Sequence, residues 1–178
     1  MSIRPFKDQH PDIHPSVMVD EQCTVIGDVS IGADSSVWPH ASIRGDVQSI
    51  RIGERTSIQD GCSLHVTHRG PYTGEGAALH IGNDVTVGHN ATLHGCTIGN
   101  SVLIGMGSTV LDKAIVEGQV MLGAGSLVPP GKTLESGFLY AGSPAKQRRP
   151  LTEKELDLLA YMANNYVNLK NTYLEAEA

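Results

Sequence analysis

Over most of this chain, every sixth residue is aliphatic. The series runs through Ile13, Val19, Val25, Ile31, Val37 and Ile43, then Ile52, Ile58 and Leu64, then Ile81, Val87 and Leu93. It ends in an unbroken run at Ile98, Ile104, Val110, Val116, Leu122, Val128 and Leu134. Gly often follows the aliphatic residue, as at Gly32, Gly53, Gly82, Gly88, Gly99, Gly105 and Gly123, and a small residue or Val often stands two before it. A period of six fits neither a helix at 3.6 nor an alternating strand at 2. It fits a short strand plus a turn, repeated, with one aliphatic side chain per segment aimed at a shared axis. Three such segments make a triangular coil of about 18 residues, and stacked coils rise by about 4.8 Å, the ordinary strand spacing. Twenty glycines against one Trp, five Tyr and two Phe agree with a narrow, repetitive core in place of one filled by rings.

Charge and cysteine usage exclude several classes. Thirteen Lys and Arg against 19 Asp and Glu leave a net charge of −6, and no basic cluster extends beyond Arg148-Arg149, so nucleic acid is not an expected partner. No apolar run approaches the roughly 18 residues of a membrane span, and the first ten residues lack the apolar stretch of a secretory signal. The expectation is a cytoplasmic protein with no membrane partner. Cys23, Cys62 and Cys96 form an odd set without close spacing, and all three occupy the small-residue position of the hexad, which assigns them to packing.

The pattern resembles the left-handed parallel β-helix of hexapeptide-repeat proteins. The left hand is what the resemblance implies, since the general rule for parallel crossovers favours the right. The expected fold is an all-β solenoid of this kind over residues 1–140, with an inserted loop at 66–80, followed at 141–178 by a linker and a C-terminal α-helix. Thr152 and Glu155 form a capping box for that helix. Its stripe of Leu156, Leu159, Ala160, Ala163, Val167 and Tyr173 is expected to lie on the solenoid or on a neighbouring subunit. The register breaks three times: nine residues from Ile43 to Ile52, 17 from Leu64 to Ile81, and five from Leu93 to Ile98. Breaks in a solenoid are where functional groups are commonly added.

If each irregular link still advances one side, Ile43, Leu64 and Leu93 share a side, and His65 and His94 stack one coil apart on the outer surface with Arg44 heading the column. Attachment points about 4.8 Å apart let two imidazoles converge on one metal ion. His89 lies on the adjacent side, stacked on Asp60, and faces away. It joins the pair only from another chain. Prisms packed around a threefold axis form a heterologous contact that closes as a ring, giving three three-histidine sites per homotrimer.

The segments Ile43-Arg-Gly-Asp46, Ile58-Gln-Asp-Gly61, Leu64-His65 and Val87-Gly-His-Asn-Ala-Thr-Leu-His-Gly-Cys96 resemble the gamma-class carbonic anhydrases and their bacterial homologues. The resemblance implies zinc, with Fe2+ or Co2+ as substitutes, bound by His65 and His94 of one subunit and His89 of the next. It also implies an Arg44–Asp60 pair across the interface supported by Asp46, and Gln59 hydrogen-bonded to the metal-bound water. The chain departs from the family's proton-transfer glutamates: Val47 follows Asp46, and His68 stands where a loop glutamate is expected. His68, with an ordinary pKa of about 6.5, is therefore the candidate proton carrier. Tyr161 on the terminal helix is the candidate for a further group at the site.

Three neutral imidazoles leave zinc its full charge and an open position, where bound water loses a proton near pH 7, the known behaviour of zinc in carbonic anhydrase. The expected reaction is reversible hydration of CO2 to bicarbonate. Two alternatives use the same scaffold: a metal-dependent thioester hydrolase or acyltransferase-like protein whose loop guides a larger substrate, and a metal-stabilised trimer that serves as a binding module.

Overall fold

The structure, a computed structural model, describes residues 2–176. The hexad residues point inward: Val25, Val37, Ile43, Leu64, Val87 and Leu93 are at most 1% exposed and belong to one continuous core. Because each segment contributes only two or three inward residues before turning, most strands are that short. They stack in three faces as a parallel β-solenoid of about eight turns, the left-handed β-helix class of hexapeptide repeats, with one C-terminal helix. The first face carries strands Ser63–His65 and Thr92–His94, the second Leu79–Ile81 and Thr97–Ile98, and the third Ser57–Ile58 and Thr86–Val87. The first two faces join in a 12-stranded sheet because strand Ser42–Ile52 continues around their shared corner. The third is an eight-stranded sheet, ended by strand Lys146–Pro150, which turns back antiparallel onto Phe138–Ala141.

The small-residue positions are buried as well. The Cys23 and Cys62 thiols donate to the carbonyls of Trp38 and Gly88 at 2.9 and 3.2 Å. Burial pushes Cys23 and Cys62 up to about 11 and Cys96 up to about 12, so all three remain protonated packing groups. The glycine after the aliphatic residue serves close approach between coils: a Cβ on Gly105 would lie 2.4 Å from the Ala124 backbone nitrogen. Corner dihedrals do not require these glycines. The positive φ falls two residues further on, at Asp34, Arg55, Asp84 and Ser101.

Each register break has a distinct shape. Gly27 pairs with Gly45 and Val29 with Ile50, so Asp28 alone faces residues 46–49 and three residues bulge outward. The long insertion folds as a finger whose root is held by pairing of Thr67 with Ala77 and, further out, of Gly70 with Gly74. In the short link, Gly95 turns at a φ of 53°.

The helix, Glu153–Ala176, begins at the capping box: the Thr152 N–H donates to Glu155 at 2.9 Å and the Glu155 N–H to the Thr152 hydroxyl at 3.3 Å. It lies on the third face of its own chain, against Met18–Val19, Ser36–Val37 and Thr86–Val87. Leu159 and Ala163 are buried there, and Trp38 meets the edges of Tyr166 and Tyr173 with centroids 6.2 and 5.3 Å away. The expected stripe needs correction at Ala160, which is exposed and meets nothing on the solenoid face, whereas Tyr173, though 47% exposed, still sets its ring against Trp38. The inward residues advance by alternating steps of four and three through 159, 163, 166, 170 and 173, a phase that excludes 160. Position 170 is a lysine, 1% exposed, with its ammonium 3.1 Å from Asp34 and 2.6 Å from the Asn171 side-chain oxygen. Among the described residues, no helix is long and apolar enough to cross a membrane.

Candidate metal centre

Strand pairing sets the two histidines side by side. Ile43 pairs with Leu64, Leu64 with Leu93, and His65 with His94. Across that rung His65 Nδ1 and His94 Nε2 stand 3.1 Å apart, with ring centroids 5.1 Å apart. Two nitrogens each about 2.0–2.1 Å from a tetrahedral ion are separated by roughly 3.3 Å, so the spacing fits a shared cation.

The outward nitrogens are held by carboxylates. His65 Nε2 is 3.0 Å from Asp46, delivered by the three-residue bulge, and His94 Nδ1 is 3.2 and 3.3 Å from the two oxygens of Asp112. Thr67, at the root of the finger, donates its hydroxyl to Asp112. Gly95 makes room for that carboxylate, since a Cβ there would sit 2.5 Å from Asp112 Oδ1. A carboxylate on the far nitrogen fixes the tautomer of a metal-binding histidine and directs its other lone pair at the ion. Burial moves His65 below the ordinary histidine value; the Asp46 hydrogen bond opposes that shift and the Arg44 guanidinium adds to it. His65 is therefore neutral at pH 7, the form a ligand needs. Burial would raise Asp46, but hydrogen bonds from Arg44 and His65 outweigh it and hold the carboxyl below its usual range.

His89 stands at the corner between the third and first faces, with Nδ1 2.9 Å from Asp60. Its backbone N–H donates to Gln59 Oε1 at 3.2 Å, and Gln59 is only 3% exposed. All three candidate histidines thus share one arrangement, an Asp on one ring nitrogen and the other free to bind. Among the described residues of one chain, no three His, Cys, Asp or Glu side chains converge tightly enough to hold a metal.

The other expected residues are distributed unevenly. Arg44 pairs within its own chain with Asp46 at 2.5 Å and is 45% exposed, while Asp60 pairs with His89. His68 is exposed on the finger, its ring folded toward Gly70, and makes no hydrogen bond to His65 or His94. Tyr161 is 64% exposed on the helix over the third face, so the structure does not bring it to the histidine pair of its own chain, which lies on the first. Asp112 was not among the residues expected. Leu93 pairs with Val110, and the same coil count that aligned the histidines sets Asp112 at the next corner.

A three-faced parallel coil bearing a carboxylate-backed histidine pair defines the class as a hexapeptide-repeat protein with a candidate metal site. Residues 78–112 match the bacterial transferase hexapeptide (six repeats) family. Protein YrdA of Escherichia coli strain K12 is 58% identical over 173 residues, covering 97% of this chain and 94% of YrdA. Gamma carbonic anhydrase 2, mitochondrial, of Arabidopsis thaliana is 42% identical over 162 residues, or 91% of this chain, which spans 58% of the plant protein. The crystal structure of a hexapeptide transferase family protein from Anaplasma phagocytophilum matches with a TM-score of 0.89 at 40% identity, covering 97% of this chain and 98% of that one. The chain belongs to the gamma carbonic anhydrase-like family of hexapeptide-repeat proteins.

Proposed function

We propose that the chain forms a cytoplasmic homotrimer that binds zinc, or Fe2+ or Co2+ in its place, at each subunit interface and hydrates CO2 reversibly there. The observation that carries this reading is the shared arrangement of the histidines: His65, His94 and His89 each give one nitrogen to an aspartate, and the first two turn their remaining nitrogens toward one point. His89 faces away from that point in its own chain and supplies the third nitrogen from the next copy. The kinship with a plant gamma carbonic anhydrase supports the same reading. Zinc in a three-histidine site supplies, when bound, a nucleophile drawn from water at neutral pH.

The chain's own residues do the rest. Asp46, Asp112 and Asp60 fix the three rings. Accepting the His89 N–H identifies Gln59 Oε1 and leaves the amide nitrogen free to donate to a substrate oxygen. Arg44, half-exposed beside Asp46, adds positive charge where an anionic product forms, and Asp60 of a neighbouring copy is its partner in this assembly.

Metal analysis of anaerobically purified protein, coupled to a CO2 hydration assay, tests the reading. One metal per chain, with hydration lost on chelation and restored by zinc, is the expected result; a metal-free, inactive protein that takes up no zinc overturns it. Asp112→Asn should lower zinc affinity by about 10–100-fold with assembly retained. An unchanged affinity in a competition titration would remove Asp112 from the site.

A further inference from the structure

A second feature lies on the third face, away from the histidine pair. Register pairing of Ile58, Val87, Ile104 and Leu122 stacks the residues that follow them, so Gln59, Gly88, Gly105 and Gly123 form one outward column. Below Gln59 the column has no side chains. Two coil spacings of about 4.8 Å from Gly88 to Gly123 make a smooth floor about 10 Å long. Met121 flanks it on the sheet, Met106 at the corner, and Met162 and Tyr166 roof it from the helix, enclosing an apolar trough of about 280 Å³. Methionine walls adapt to flexible apolar guests.

Polar groups occur at one end only. Gln59 is 97% buried and Thr86 is likewise enclosed, both line the trough, and neither the Gln59 amide nitrogen nor the Thr86 hydroxyl has a hydrogen-bond partner among the described residues. Trp38 stacks one coil before Gln59, and the edge of Tyr166, which roofs the trough, meets it at 6.2 Å between centroids. Neither atom is sealed from solvent, and a ligand acceptor entering the trough takes both donors at once. They are neutral donors, which suit a neutral carbonyl; a carboxylate would have to be desolvated without a cation.

We infer that this trough binds the linear chain of a neutral acyl compound, an ester, thioester or amide, with its carbonyl oxygen on Gln59 Nε2 and Thr86 Oγ1 and its hydrocarbon tail along Gly88, Gly105 and Gly123. The bound head group lies beside His89, so a metal at that corner would meet an acyl carbonyl. The carbonyl takes the same Gln59 amide nitrogen that the metal reading offers to its own substrate, while Thr86 and the tail's floor at Gly88, Gly105 and Gly123 have no part in that reading.

Uncharged methyl ketones test it, since they carry the carbonyl and the tail but no scissile bond. Calorimetry on the protein as purified compares 2-undecanone with 2-hexanone, and quenching of Trp38, the only tryptophan, provides a second readout. Each methylene that enters the trough contributes about fourfold in affinity. With three of the five additional methylenes inside, 2-undecanone should bind roughly sixtyfold more tightly. Thr86→Val should weaken it by about fivefold. Ala124→Phe, at an exposed position on the trough's rim, should weaken it at least about tenfold with the thermal midpoint unchanged. Equal affinity for the two ketones, tighter binding of undecanoate than of 2-undecanone, or full binding by a folded Ala124→Phe protein would each overturn the proposal. Metal content does not enter these outcomes, so a failure here leaves the zinc reading standing and a success does not establish it.

Discussion

His65→Ala and His89→Ala proteins, each purified alone, carry no stoichiometric zinc, and trimers refolded from an equal mixture of the two recover about a quarter of the full complement. Each site draws His65 and His94 from one copy and His89 from the next around the ring. A site survives when the first copy is the His89→Ala chain and the second is the His65→Ala chain. With random assembly that ordered pair occurs at about one interface in four. Metal analysis of trimers verified as mixed by mass reads the result directly, since each holds one intact interface of three and so about a third of the full complement. No recovery in such trimers means that the three histidines do not divide between chains in this way.

Asp34→Asn lowers the unfolding free energy by about 2–3 kcal/mol, whereas Lys170→Met leaves it nearly unchanged. The asymmetry follows from where the charge sits. The Lys170 ammonium is sealed between helix and solenoid at 1% exposure, while the Asp34 side chain keeps 46%. Neutralising Asp34 leaves a buried cation met by neutral amide oxygens alone, with no counter-charge; replacing Lys170 removes the buried charge and keeps an apolar stem of similar length. Asn tolerates the left-handed backbone at position 34, where φ is 58°, so the comparison reports charge and not strain. Denaturant unfolding of both variants decides it, and a larger loss for Lys170→Met than for Asp34→Asn would refute the account.

The parts of this protein legible in sequence are those governed by the coil period. One aliphatic residue per segment defines which side is inward, and the period then aligned His65 with His94 across a 29-residue gap, because an insertion that leaves and returns at one corner does not alter the stacking beyond it. What the period does not govern stayed hidden. Asp112 reaches His94 only because Gly95 turns with positive φ and leaves space for the carboxylate. Arg44 meets Asp46 within its own chain because three bulged residues carry the carboxylate back along the strand. On the helix, Ala160 is apolar yet lies outside the packed phase, and Lys170 is charged yet lies inside it, so a count of apolar residues misplaces both. The unpaired amide of Gln59 follows from which of its oxygen and nitrogen faces the His89 backbone, a detail of side-chain orientation.

Strand Lys146–Pro150 reverses direction across Phe138–Ala141, and all five of its residues are exposed, among them Lys146, Arg148 and Arg149. A stack of parallel coils has no intrinsic length, since the last rung of one molecule offers the same hydrogen-bonding groups as the first rung of another. A reversed, cationic strand ending in proline presents the wrong polarity for such docking and repels a second copy of itself. On this face the strand acts as a terminator of polymer growth. A chain cut before Lys146 would leave Phe138–Ala141 open as a template, and fibrous self-association would replace discrete assembly.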